Sequence, residues 1–93
     1  MVKRMKTYVH VMVEFDEDGT MLPRSILWED GRTYGIDRVV NICQSASDVG
    51  GNGDRYTIEV SGVQSYLFFE RLLTQRGYRI GRWFVEKKQR VGV

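Results

Sequence analysis

His10, Cys43 and the acidic run Glu14, Asp16, Glu17 and Asp18 are the side chains whose types could do bond-making or metal chemistry. His10 is the single histidine and Cys43 the single cysteine of the chain. A metal site from these two and a carboxylate would have to be assembled by the fold, since no second nitrogen or thiolate lies near either in sequence. A nucleophilic Cys43 needs a base within hydrogen-bond reach, and His10 is the one imidazole on offer. Cys43 closes an apolar stretch and reads more simply as a small hydrophobe. The acidic run lacks the spaced oxygens, central glycine and closing glutamate of a calcium loop. Gly19 follows it at once, so a solvated hairpin turn is the plainer account. "GGNGDR", residues 50–55, lacks the Lys-Ser/Thr and the following helix of a phosphate loop. These residues therefore predict no catalytic, metal or cofactor site and no disulfide. A lone cysteine suits a reducing, cytoplasmic setting.

Binding chemistry has more to work with. The net charge of +2 hides an uneven distribution. Residues 1–54 carry six basic and nine acidic side chains, a balance of −3, and residues 55–93 carry eight basic and three acidic, a balance of +5. A basic half points to a polyanionic partner. If nucleic acid is that partner, Arg71, Arg76, Arg79, Arg82, Lys87 and Lys88 are the residues expected to bind it. Interleaving by Glu59, Glu70 and Glu86 argues for a mixed solvated surface instead. Trp28, Tyr34, Tyr56, Tyr66, Phe68, Phe69, Trp83 and Phe84 fall on both strand parities, more than one face of a small barrel can hide. Exposed rings beside cations stack single-stranded bases, and aromatic grooves dock peptides.

The elements that must position these residues read as short strands. A chain of 93 residues makes one domain, with 42% hydrophobic and 28% charged residues, the balance of an ordinary globule. No apolar run is long enough to span a membrane, and no apolar stretch follows the basic N-terminus to make a secretory signal. Thr7–Phe15 alternates, with Val9, Val11, Val13 and Phe15 on one face. Met21–Trp28 is extended, and Pro23 marks an edge or a bulge. Glu29-Asp30-Gly31 as a three-residue loop with Gly31 at positive φ places Trp28 opposite Arg32 and Ile26 opposite Tyr34. Ile26, Trp28, Tyr34 and Ile36 then share the core face. Met21 and Pro23 have the opposite parity, so a bulge or bend is required between Pro23 and Ser25. Strands are expected over 36–43, 55–60, 64–70 and 82–86, with a loop over 44–54 and a turn at Ser61-Gly62. The core should span about 7–86, with frayed termini at 1–6 and 87–93.

"SGVQSYLFFERLLTQRG" also fits a helix: Ser61 and Gln64 form a capping-box pattern, and Gly77 would close the C-terminus. The fold would then be α+β, with a helix around residues 64–76.

Trp28, Gly31-Arg32, Tyr34, Ile36-Asp37-Arg38-Val39, Arg55-Tyr56-Thr57, Tyr66-Leu67-Phe68-Phe69-Glu70 and Trp83-Phe84-Val85-Glu86 together resemble a family of short, uncharacterised bacterial proteins. The resemblance covers roughly residues 9 to 86. It implies strands of a small SH3-like barrel, including the segment through Glu70, and it implies no activity. The stretch Arg71–Gly81 is longer than the turn of that pattern.

The expectation is an all-β, mostly antiparallel SH3-like barrel of five or six strands, forming one domain over residues 1–93. Its expected function is that of a non-enzymatic binding or interaction module with a protein partner and no membrane. The alternative is a weak, sequence-tolerant binder of single-stranded nucleic acid. An enzyme or enzyme accessory domain is the most distant reading. A pocket around Asp37 or Glu70 with a strongly shifted pKa would favour it.

Overall fold

Period-two alternation broken by glycine turns builds strands throughout. The computed structural model describes residues 2–46, 52–73, 76–77 and 79–90. They form seven strands: β1 (Val2–Phe15), β2 (Met21–Leu27), β3 (Thr33–Gly35), β4 (Arg38–Ala46), β5 (Asn52–Val60), β6 (Val63–Leu73) and β7 (Arg79–Arg90). The sheet order is β3-β2-β1-β7-β6-β5-β4, and each neighbouring pair is antiparallel. The sheet curls into a half-barrel. No helix among the described residues is long and apolar enough to cross a membrane.

The turn chemistry is the expected one. Gly31 has φ +81°. The Trp28 amide donates to the Arg32 carbonyl at 2.8 Å, and the Gly31 amide to the Trp28 carbonyl at 3.0 Å. Ile26 accordingly faces Tyr34, and Leu27 faces Thr33. The β1–β2 turn repeats this wiring, with Gly19 at φ +86° and Asp16 bonded to Thr20. Asp16 and Asp18 carboxylates accept the amides that close this turn. The parity conflict in β2 is resolved by a bulge: Met12 faces Ser25, Val13 faces Pro23, and Arg24 is the extra residue. Both Pro23 and Ile26 can then point inward.

That bulge also helps to close the molecule. The Arg24 carbonyl accepts the Ile36 amide at 2.8 Å, and the next amide, Asp37, donates to the Glu59 carbonyl at 2.8 Å. Two residues thus tie β2 to β5 across the open side of the sheet. The Tyr56 hydroxyl adds a second tie, donating to the Met21 carbonyl at 2.9 Å. Inside the curl, Ile26, Ile36, Tyr56, Ile58, Leu67 and Trp83 form the core, with Val9, Val11, Trp28, Phe69 and Val85 against it. Trp83 is wedged between Tyr56 and Phe69, with ring centroids 5.0 and 4.9 Å away. The Phe69 ring lies on Gly81, where any Cβ would come within 2.2 Å of it.

Several expectations need correction. Val63–Leu73 is strand, so the helix over 64–76 and the α+β alternative fall. Leu67 faces the core, while Phe68 and Glu70 are buried on the opposite, outer face, so both sides of the segment are covered, which a two-faced strand satisfies. Seven strands form instead of five or six, because the return of the Gly31 hairpin pairs as β3 before the chain crosses to β4. The loop expected over 44–54 is largely strand, since β4 and β5 pair out to Ala46 and Asn52. Residues 47–51 lie outside the described residues. The expected fraying also gives way: Val2–Lys6 pairs with Glu86–Arg90, each stretch supplying the other's ladder. Met1 and residues 91–93 lie outside the described residues. Val13 and Phe15 are exposed, because β1 runs past the end of the core there. Tyr34 sits on the core side of its hairpin but remains 38% exposed, its hydroxyl donating to Asp30 at 2.8 Å.

Candidate binding site at a fork in the sheet

The β6–β7 ladder runs from Leu73↔Arg79 to Phe68↔Phe84 and stops. Beyond it, β6 continues along β5 as far as Val60↔Val63, while β7 continues along β1 as far as Val2↔Arg90. The sheet forks there. Sheet coiling drives the split, because the two strands must follow opposite halves of the curl.

Cavities open on both faces of the fork. The inner one, about 300 Å³, is lined by Ile26, Trp28, Tyr34, Ile58, Val60 and Val85, with Ser65 and Lys87 among its polar groups. Lys87 lies over the Trp28 ring, 5.0 Å from its centroid, and pairs with Glu29. The outer one, about 260 Å³, is lined by Arg4, Tyr66, Phe68, Glu86 and Lys88. Tyr66 and Glu86 belong to both. Glu86 Oε2 is buried in the fork without a hydrogen-bond donor among the described residues. A buried acceptor without a donor is costly and marks a place where a ligand N–H would be welcome.

Next to the fork, the outer face carries a second, smaller cluster. Arg55, Phe68, Phe84 and Tyr8 form one cross-strand row over four strands. Phe68 and Phe84 stack at 5.0 Å with planes 9° apart, and Tyr8 meets Phe84 edge-on at 5.9 Å. Glu70, only 3% exposed, sits beside this row. It accepts from the Tyr8 hydroxyl at 2.8 Å and pairs with the Lys6 ammonium. Burial pushes the Glu70 carboxyl up, but hydrogen bonds from Lys6 and Tyr8 and the charges of Lys6 and Arg82 outweigh it, leaving a net lowering. The same hydrogen bond holds the Tyr8 hydroxyl protonated to higher pH than usual. Glu70 is thus an ionised structural carboxylate inside a cation–aromatic cluster. Asp37 is exposed and accepts the Ser61 amide at 2.8 Å, the role of a turn cap.

The basic residues singled out from sequence do not share a face. Arg82 and Lys88 lie on the outer face with Phe84. Arg71 and Lys87 are on the inner parity, tied to Asp54 at 2.7 Å and to Glu29. Arg76 lies exposed in the turn between β6 and β7, and the Arg79 side chain lies outside the described residues. Three cations not in that set, Arg4, Lys6 and Arg55, join Arg82 and Lys88 on the outer face. Strand parity was the signal for this grouping, and a charge count by halves of the chain cannot see it. Among the described residues no three His, Cys, Asp or Glu side chains gather to hold a metal. No family model matches this chain, and no curated protein or solved structure matches it.

Proposed function

We propose that this protein is a small, non-enzymatic interaction module that docks an extended segment of a protein partner at the fork, as SH3-like barrels dock peptides in aromatic grooves. The fork itself carries the reading: two strand edges diverge beside an apolar cavity of about 300 Å³. A segment entering there can pair its backbone with the β6 edge and place one apolar or aromatic side chain against Trp28, Tyr34 and Val60. Its N–H groups would also reach the unpartnered Glu86 carboxylate oxygen. The single, half-buried Cys43 supports a reducing, cytoplasmic home. The Trp-Gly-Arg-Tyr-Ile-Asp pattern supports membership of the family of short bacterial proteins that the chain resembles.

Peptide display selection against the folded protein tests this. Selected peptides should share one apolar or aromatic anchor and should lose binding to Ser65→Trp, which fills the mouth of the inner cavity from an exposed position. Peptides that bind wild type and Ser65→Trp equally would rule out docking at the fork.

A further inference from the structure

The outer face presents two aromatic platforms, each already carrying a guanidinium. Arg82 lies 3.4 Å from the centroid of Tyr8, and Arg55 lies 4.6 Å from that of Tyr66. Both rings remain open to solvent, Tyr8 at 40% and Tyr66 at 52%. Tyr8 and Tyr66 stand two strands and two residues apart, which separates them by at least roughly 12 Å in an unforked sheet. Arg4, Lys6, Arg55, Arg82 and Lys88 surround them, against the carboxylates of Glu70 and Glu86. Glu70 is consumed by Lys6 and Tyr8, so the patch keeps an excess of positive charge.

From this juxtaposition we propose that the outer face binds single-stranded nucleic acid, with bases stacked at Tyr8 and Tyr66 and phosphates held by Arg4, Arg55, Arg82 and Lys88. Aromatic faces accept any base, and guanidinium groups serve both phosphate and stacking, so the binding is tolerant of sequence. Duplex DNA hides its base faces and gains little from the platforms. This site lies on the outer face of the sheet; it shares Tyr66 and Glu86 with the wall of the inner cavity but does not depend on peptide docking there.

Anisotropy titration of a labelled thymidine 12-mer at ~50 mM salt is the test. The expected dissociation constant is about 1–100 μM, with a log–log salt slope of roughly −3 for four engaged phosphates. Tyr66→Ala should weaken binding by about 5- to 150-fold, the loss of one stacked base, while Tyr66→Phe retains it. Arg82→Ala should weaken binding and flatten the slope by about 0.7. Arg71→Ala, on the inner face and paired with Asp54, should leave binding unchanged. Circular dichroism confirms that each variant is folded. Absence of saturable binding at ~50 mM salt would overturn the proposal. So would a Tyr66→Ala variant that binds as wild type, or equal affinity for duplex or for an acidic peptide, since charge alone would then explain the contact.

Discussion

At Gly31 the backbone sits at φ +81°, and a Cβ there would meet nothing within 4 Å. Conformation alone sets the cost of a side chain, so Gly31→Ala should lower stability by about 1–2 kcal/mol, read as a shift in the urea midpoint. Gly81 presents the opposite case. Its backbone is ordinary, but a Cβ would collide with the Phe69 ring that closes over Trp83. Gly81→Ala should cost about 1–3 kcal/mol through overpacking, with the Trp83 fluorescence environment altered. Glu70 links stability to pH. Its carboxyl titrates lower in the folded protein than its ordinary value of 4.5, so the stabilisation is fully present above that value. It is lost as pH falls through the lower, folded-state value. Replacing this glutamate with glutamine removes a charge that two donors share, and Glu70→Gln should cost about 1.5–3 kcal/mol at neutral pH. The gap between wild type and variant should stay constant from about pH 6 to pH 8 and narrow as pH falls below 4.5 towards the lower, folded-state value. A gap independent of pH would show that Glu70 is not ionised in the folded state.

Strands succeed or fail here by how their edges are used. Along β6, Phe68–Glu70 is flanked by β5 and β7, whereas Val63–Leu67 is flanked by β5 alone. Every second amide of Val63–Leu67 should therefore exchange quickly, while protection is continuous over Phe68–Glu70. Amide exchange followed by NMR reads this directly, and uniform protection through Val63–Leu67 would mean that the fork is closed in solution. Across the opposite side of the curl, the Tyr56 hydroxyl holds the Met21 carbonyl. Tyr56→Phe removes one hydrogen bond and leaves the ring packing on Trp83 intact, a loss of about 1 kcal/mol. Because Met21 lies at the start of β2, the loosening should appear in the amides of β2 and not in those of β7.

For the whole molecule, the two chain ends are structural. Val2–Lys6 and Glu86–Arg90 are each other's partners, and Lys6 reaches from that ladder to the buried Glu70. Ending the chain after Glu86 should therefore destabilise the entire domain, by at least about 1 kcal/mol, and not merely trim a tail. Chemical unfolding of the truncated chain measures this. Curling the sheet also mixes the acidic and basic halves. Arg71 of the basic half meets Asp54, and Lys87 meets Glu29. The uneven charge along the chain therefore becomes a more even surface, with one basic patch where parity happens to align five cations.

Local information settled the turns and the two-faced strands. Positive φ at Gly19 and Gly31, the register that sets Ile26 against Tyr34, and the need for a bulge near Arg24 all follow from residue types at short spacing. These are contests decided within a few residues, where backbone sterics and side-chain parity dominate. Tertiary structure alone decided between strand and helix for residues 64–73, because a capping box and an apolar run are compatible with both until β5 and β7 offer ladders. It alone paired the termini, placed Tyr8, Phe68 and Phe84 in an outer cluster with Glu70, and opened the fork. Each of these depends on which strands become neighbours, and that choice is made by the curvature of a whole sheet closing on its core, over separations such as the 62 residues between Tyr8 and Glu70.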